Sequence, residues 1–394
     1  MEILFFRFNN IFEPDVLSSF QKLGIHVITE FSKDGTGSYS SDTVDIVASH
    51  ILEHQKNKSP LLFVFSINFN PAISEVCQKL NTLYVCWSVD CPVIELFSAS
   101  IRNTNNRIFL FDFMQYQRFS RYNPDSIFYL PLGSNTDRLA RTVSSINSDD
   151  IAKYSSDISF VGSLYNEINP LNKLSLPSNA KEEIDSLISA QLSDRQSFFI
   201  ENALSDTLIK TIKGNSSGLP LDGFVEPIVR YTIANLYIGM QLAEVERFET
   251  LSRLSNEFNI NLYTKSDSSR LKKIHNKGSA HTYNVMPKVF HLSKINLNIT
   301  MRPIQTGLSL RIYDVLGSGG FLITNYQAEI DELFEAGNDL VVYNTLDELV
   351  DKCHYYLTHD DERRQIALNG YHKVQQLHTC DQRVTHMIRT IFSK

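Results

Sequence analysis

The chain has 394 residues, 42% hydrophobic and 21% charged, a balance typical of compact globular folds that excludes disordered and fibrous classes. Its formal charge of −7 argues against whole-surface attraction to nucleic acid or anionic lipid, while a local basic groove for a phosphate ligand stays open. No run approaches eighteen apolar residues, so no transmembrane segment is expected, and five cysteines without CxxC spacing argue against a disulfide framework or a structural zinc site.

At about one domain per 150 residues, the length predicts two domains. "MEILFFRFNN" has an acidic second residue and a short apolar run, and it reads as a first strand rather than a signal peptide; a reducing cytoplasm is the expected compartment. Strands are predicted at "EILFFRF" (2–8), "HVITEF" (26–31), "LLFVFSI" (61–67), "LYVCWSV" (83–89), "RIFLFD" (107–112) and "IFYLPL" (127–132). Helical patterns fall between the first four of these runs, at "EPDVLSSFQKLG", "SDTVDIVASHILEHQ" and "PAISEVCQKLN". Runs apolar on both faces and separated by helices call for a parallel sheet covered on both sides, so residues 1–150 are predicted to form a doubly wound, Rossmann-like α/β domain.

The polar stretch "SSINSDDIAKYSS" reads as a linker. A second strand series follows at "DISFVGS" (157–163), "INLYT" (260–264), "INLNIT" (295–300), "FLIT" (321–324) and "LVVY" (340–343). Residues 170–256 are helical in pattern around the loop "KGNSSGLPLDG" (213–223), and the whole second domain spans 151–375. The last segment, 376–394, is predicted to be a helix packing back toward the first domain. Two such domains are expected to face each other across a cleft at the carboxyl ends of their strands, where doubly wound sheets bind ligands.

"SLRIYDVLGSGGFLITN" (309–325) carries the most informative pattern. Gly317, Gly319 and Gly320 resemble a nucleotide loop, but a dinucleotide fingerprint needs its glycines between the first strand and the helix, and here they follow the helix. They suit a left-handed helix end and a tight return into the sheet. The anion site is instead expected at the helix start, with Ser309 or Thr306 as N-cap and the loop "MRPIQTG" through Leu308, Leu310 and Arg311 cradling phosphate. Arg311 offers a positive fork and Asp314 an acceptor pair for a sugar diol; an i,i+3 surface ion pair between them is the alternative.

The segment "YNVMPKVFHLSKINLNITMRPIQTGLSLRIYDVLGSGGFLITNYQAEIDELFEAGNDLVVYNTLDELVDKCHYYLTHDDERRQIALNGYHKV" resembles the C-terminal domain of GT-B glycosyltransferases of the CgeB-like, spore maturation protein-like family. "NPAISEVCQKLNTLYVCWSVDCP", "IFLFD" and "YLPLGSNTDRL" resemble its N-terminal companion domain, and "DISFVGSLYNE" the opening of the donor domain, so the resemblance implies that 1–150 is the acceptor domain and 151–375 the nucleotide-sugar donor-binding domain. The resemblance implies transfer of a sugar from a nucleotide diphosphate donor, most simply a UDP-sugar, to a hydroxyl acceptor. Related enzymes carry an acid, seven residues, then a second acid that binds the donor ribose; Asp314 matches the second, while position 306 is Thr, a departure from the pattern. The resemblance further implies that Gly162 and Ser163 approach the donor phosphates, where a plain tight turn is the alternative. Tyr283 and Met286 could border the base, or Tyr283 could be core. Gly307 belongs to the loop, and Arg302 offers further charge for the diphosphate or is simply a solvated loop arginine.

Asp90 follows a predicted buried strand, and a partly desolvated carboxylate with raised pKa suits a base that deprotonates the acceptor hydroxyl. Capping the helix "PVIELFSAS" is its alternative role. No HExxH, HxH or DxD pattern occurs in the loops, so no metal or other cofactor is expected, and a helix dipole with arginine can stabilise the leaving diphosphate. The acceptor classes implied are Ser/Thr of flagellin or another surface protein, or a surface or spore polysaccharide, with no nucleic-acid partner. Two alternatives are a catalytically silent GT-B subunit of a surface-glycan assembly and a nucleotide-sugar epimerase.

Overall fold

A computed structural model describes residues 2–31, 41–194, 197–216, 219 and 224–392. Most of the loop 213–223 therefore lies outside the described residues. The chain divides into two units, one of Met1–Asn135, Gly223–Glu226 and His378–Lys394, the other of Thr136–Asp222 and Pro227–Leu377.

In the first unit, β1 (Glu2–Arg7), β2 (His26–Phe31), β3 (Val64–Ile67), β4 (Tyr84–Ser88), β5 (Asn106–Leu110) and β6 (Ile127–Tyr129) form one sheet in the order β2-β1-β3-β4-β5-β6. Every pairing is parallel, with Leu4 opposite Val64 and Trp87 opposite Phe109. β3 and β4 are buried along their whole length, which is why their sequences read as continuous apolar runs rather than alternating ones. Phe5, Phe20 and Phe65 pack edge to face, with centroids 4.9 Å apart for Phe5–Phe65 and 5.1 Å for Phe20–Phe65. Trp87 is fully buried and satisfies its indole N–H on the Leu130 carbonyl at 3.3 Å.

Two later segments complete this unit. Val225 donates its N–H to the Phe97 carbonyl at 2.8 Å, and Glu226 accepts from Arg118 at 2.8 Å and from the Tyr122 hydroxyl at 2.5 Å. The terminal helix Cys380–Phe392 lies on the helix Glu13–Lys22, where Asp381 accepts from Ser19 at 2.5 Å and Lys22 at 2.7 Å.

In the second unit, β7 (Ser156–Val161), β8 (Ile260–Tyr263), β9 (His275–Asn276), β10 (Ser293–Asn298), β11 (Leu322–Asn325) and β12 (Val341–Tyr343) form a sheet in the order β12-β11-β10-β7-β8-β9. These pairings are also all parallel, with Ile158 between Ile260 and Ile295. β9 is a two-residue exposed edge strand with no apolar run to announce it. The helices Thr136–Ser144 and Ser148–Tyr154 belong here because they pack on the helix Met286–Leu292; the division thus falls after Asn135, upstream of the boundary expected near 150. Residues 171–242 supply a second apolar cluster, built on Ile184, Ile188, Leu208, Ile212, Ile233 and Leu242, separate from the one under the sheet.

Candidate functional site

Both sheets reverse their winding once. In the second unit the reversal lies between β7 and β10, so the chain diverges there and leaves a crevice beyond their carboxyl ends. A cavity of about 210 Å³ occupies that crevice. Its walls bring together Gly162 and Ser163 after β7, Asn298 at the end of β10, Ser309 and Arg311 at the start of the helix Leu310–Gly317, and Arg247 from the helix Gly239–Leu254.

Arg247 is the residue that sequence reasoning missed. It is 9% exposed, donates Nη1 to the Ser163 carbonyl at 2.5 Å and Nη2 to the Ile299 carbonyl at 2.6 Å, and stacks over Tyr165 with its guanidinium carbon 4.5 Å from the ring centroid. Its Nε is buried without a hydrogen-bond partner among the described residues, an uncompensated desolvation cost. The only signal in the sequence was an arginine on the buried face of "LAEVERFETL", between residues that face the core.

Arg311 lines the same cavity from the start of the helix Leu310–Gly317. Its guanidinium lies 5.0 Å from the Phe290 centroid and donates to the Met286 sulfur at 3.1 Å. Burial lowers its pKa, the Asp314 carboxylate opposes that shift, and the like charge of Arg247 adds to it. Among the described residues the cavity wall thus carries two guanidiniums and no carboxylate, and the first-turn N–H groups of the helix add positive potential.

The other expected residues take different places. Ser309 occupies the N-cap position, but its hydroxyl makes no cap bond and lies 3.5 Å from Asn298 Oδ1. The Gly162 N–H is committed to the Tyr263 carbonyl at 3.1 Å and the Ser163 hydroxyl to Glu167 at 2.7 Å, so this loop serves the cavity mainly by holding Arg247. Arg302 is 8% exposed and ion-paired with Glu246 at 2.6 Å, so it is neither a solvated loop residue nor a wall of this cavity. It borders instead a smaller hollow, of about 90 Å³, with Thr306 and Phe198. Thr306 bonds Glu329 twice, through its hydroxyl at 2.9 Å and through its carbonyl, which accepts the Glu329 N–H at 3.2 Å. Gly307 is buried, as is Leu308 at 1% exposed, while Leu310 opens the helix. Asp314 is half-buried, one turn into the helix and outside the cavity wall. Tyr283 packs under the Arg138 guanidinium, 5.0 Å from its ring, away from this cavity.

The glycines of 317–320 do what their order predicts. The Gly319 N–H bonds the Leu316 carbonyl at 2.9 Å and the Gly320 N–H the Val315 carbonyl at 3.0 Å, closing the helix with Gly319 at φ +73°.

In the first unit, Asp90 follows β4 on the rim of a hollow of about 340 Å³. Its Oδ2 accepts from Asn68 Nδ2 at 2.6 Å, and Asn68 Oδ1 accepts the N–H groups of Val89 at 3.0 Å and Asp90 at 3.3 Å. Asp90 does not cap the following turn, whose cap position is Val93. Asp90 is solvent-exposed on the rim, yet the atoms packed around its carboxyl push its pKa up, against the opposing pull of the Asn68 amide.

Two six-stranded parallel α/β units in one chain, each with a hollow at its strand reversal, define the GT-B class of glycosyltransferase folds. Residues 246–389 match the family model described as glycosyl transferase-like. A glycosyltransferase from Rickettsia africae ESF-5 aligns over 100% of this chain and 99% of its own, with TM-score 0.57 at 11% identity. Anabaena HepE in complex with UDP aligns over 100% of both chains with TM-score 0.56 at 10% identity, and sucrose-phosphate synthase of Thermosynechococcus elongatus does so with TM-score 0.58 at 10% identity. At such identities the likeness establishes the fold. No curated protein sequence matches this chain.

Proposed function

We propose that the protein is a glycosyltransferase that moves a sugar from a nucleotide diphosphate sugar, most simply a UDP-sugar, to a hydroxyl acceptor. The observation that carries this reading is the Arg247–Arg311 cavity at the β7/β10 reversal, beside the N-terminus of the helix Leu310–Gly317. A diphosphate placed there meets two charge-assisted forks and a helix dipole, which stabilise the leaving group as the sugar–oxygen bond breaks. Asp314, one turn further, grips the ribose. The UDP complex of Anabaena HepE supports the choice of nucleotide.

Asp90 serves as the base: it takes the acceptor hydroxyl proton as the new bond to the anomeric carbon forms and the nucleoside diphosphate departs. The sugar is a hexose or N-acetylhexosamine. With positive charge supplied by arginine and helix, transfer proceeds without metal, and a chelator leaves the rate unchanged. The enzyme is CgeB-like, works in the cytoplasm, and serves surface-structure assembly, with a surface protein such as flagellin or a surface or spore polysaccharide as acceptor.

Thermal shift with a panel of UDP-, GDP- and dTDP-sugars tests the donor assignment, because a ligand that binds only the native state stabilises it by RT ln(1 + [L]/Kd) and so raises its melting temperature. UDP-sugars are expected to give the largest shift. No shift from any of the three nucleotide classes would remove the donor site.

A further inference from the structure

The helix Leu310–Gly317 starts at the Arg247–Arg311 cavity and ends, roughly 12 Å further along its axis, at a separate hollow of about 640 Å³ within the second unit. The helices Thr136–Ser144, Met286–Leu292 and Asp360–Leu377 pack around the helix there. The space exists because the residues that face it are small. Gly317 and Gly319 present only backbone, and Ala140 and Ala367 a single methyl group each. Val143 and the exposed Leu368 add to a wall that is mostly apolar. The volume lies in the range of about 300–1,000 Å³ that encloses a small organic ligand, and an apolar body seated there would take this wall out of water.

Arg364 is the one lysine or arginine on the wall among the described residues, and no carboxylate lines it. Its guanidinium makes no hydrogen bond among the described residues, and its ion-pair partner, Asp360 Oδ2, stands at 3.8 Å. The other oxygen of that carboxylate accepts from the buried Arg363 at 2.6 Å. His291 Nδ1 donates to the Ser318 carbonyl at 2.9 Å, which leaves Nε2 without a partner among the described residues, as is the Tyr371 hydroxyl on the same wall. The hollow thus combines an apolar body-sized space with one guanidinium fork and a hydroxyl that suit a single anionic head. A membrane surface fits it less well, because anionic lipid is held by several basic side chains acting together and this wall carries one.

We propose that this hollow is a binding site for a small amphipathic anion, an aliphatic or aromatic body against Val143, Leu368 and the turn 317–319 with one carboxylate or sulfonate head on Arg364. The site lies outside the donor cavity and stands independently of the glycosyltransferase reading.

The test titrates the full chain with anilinonaphthalene sulfonate and follows its fluorescence, with phenylnaphthylamine as the uncharged counterpart. Saturable binding is expected, displaced by decanoate below its micellar concentration. Acetate, which lacks the body, and UDP, which suits the Arg247–Arg311 cavity, should not displace it. Arg364→Gln should weaken the sulfonate by about threefold, as befits a partly exposed charge pair, and Arg364→Glu by more, with the neutral probe unchanged in both. Ala140→Phe, which places a ring in the hollow, should abolish binding of both probes. Arg364 is exposed, so its variants should keep the wild-type melting temperature and decide the matter even where Ala140→Phe fails to fold.

The proposal is overturned by the absence of saturable binding, by displacement with UDP, by decanoate failing to displace the probe, by sulfonate affinity unchanged in Arg364→Glu, or by wild-type binding in a folded Ala140→Phe protein. Arg364-dependent cosedimentation with phosphatidylglycerol vesicles, in a protein that decanoate does not occupy, would replace it with a membrane contact. A chain that no nucleotide-sugar stabilises but that still binds the sulfonate through Arg364 would sink the donor reading and leave this site standing.

Discussion

The proposed transfer makes Arg247 and Asp90 the residues to test first. Arg247→Ala removes a charge-assisted fork of the kind worth about 1.5–3 kcal/mol, so UDP-sugar affinity should fall roughly 10- to 100-fold by calorimetry. Arg247→Lys should restore only part of this, because an ammonium cannot bond the Ser163 and Ile299 carbonyls and also present a fork to a diphosphate. For Asp90 the pH dependence has a definite sign. A base works only when deprotonated, and desolvation raises this carboxyl above its ordinary 3.8. The transfer rate should therefore fall on the acid side through a pKa above that value, and Asp90→Asn should abolish this limb and lower the rate by about 10²–10⁴-fold while leaving UDP-induced melting shifts intact. Near-normal transfer by a folded Asp90→Asn protein would eliminate the base role.

At the level of elements, the turn from the helix Leu310–Gly317 leads into β11, and the start of the same helix lines the Arg247–Arg311 cavity. Gly319 adopts φ +73°, and Gly320 leaves so little space that an added Cβ would stand 2.5 Å from the Phe290 carbonyl oxygen and 2.8 Å from Asn296 Nδ2. The two substitutions should therefore differ. Gly319→Ala incurs the left-handed strain of an L residue, about 1–2 kcal/mol in urea unfolding, while Gly320→Ala forces backbone or Asn296 to move and should cost more. This turn was legible in the sequence because three glycines after an apolar helix have few other uses. The cavity was half legible: the helix start and Arg311 follow from the strand–loop–helix order, whereas Arg247 lies 64 positions upstream of Arg311 on a helix whose sequence shows no chemistry. Arg302 looked like a free phosphate ligand because its partner, Glu246, is equally remote in sequence.

For the whole molecule, the grouping of His378–Lys394 with the first unit makes the terminus part of that unit's stability. The helix Cys380–Phe392 buries Val384, Met387 and Ile391, and the Cys380 N–H bonds the Ser134 carbonyl at 2.8 Å. At about 1.5–3 kcal/mol per buried apolar side chain, truncation after Leu377 should remove on the order of 5 kcal/mol from the first unit. Calorimetry should then show the transition of the first unit lowered or lost, with UDP still shifting that of the second. Equal destabilisation of both transitions would contradict this division.

Local pattern alone determined the two parallel sheets, the wrong-end glycines and the helix start after β10, because period and turn chemistry act over neighbouring residues and are written in order along the chain. The tertiary structure decided what depends on residues brought together from afar. It gave the cavity its second arginine, committed Arg302 to Glu246 and Thr306 to Glu329, moved the division of the chain to Asn135, and set Asn68 against Asp90. Charge in a low-dielectric hollow is governed by proximity in space, and sequence spacing says little about that until the sheet is folded.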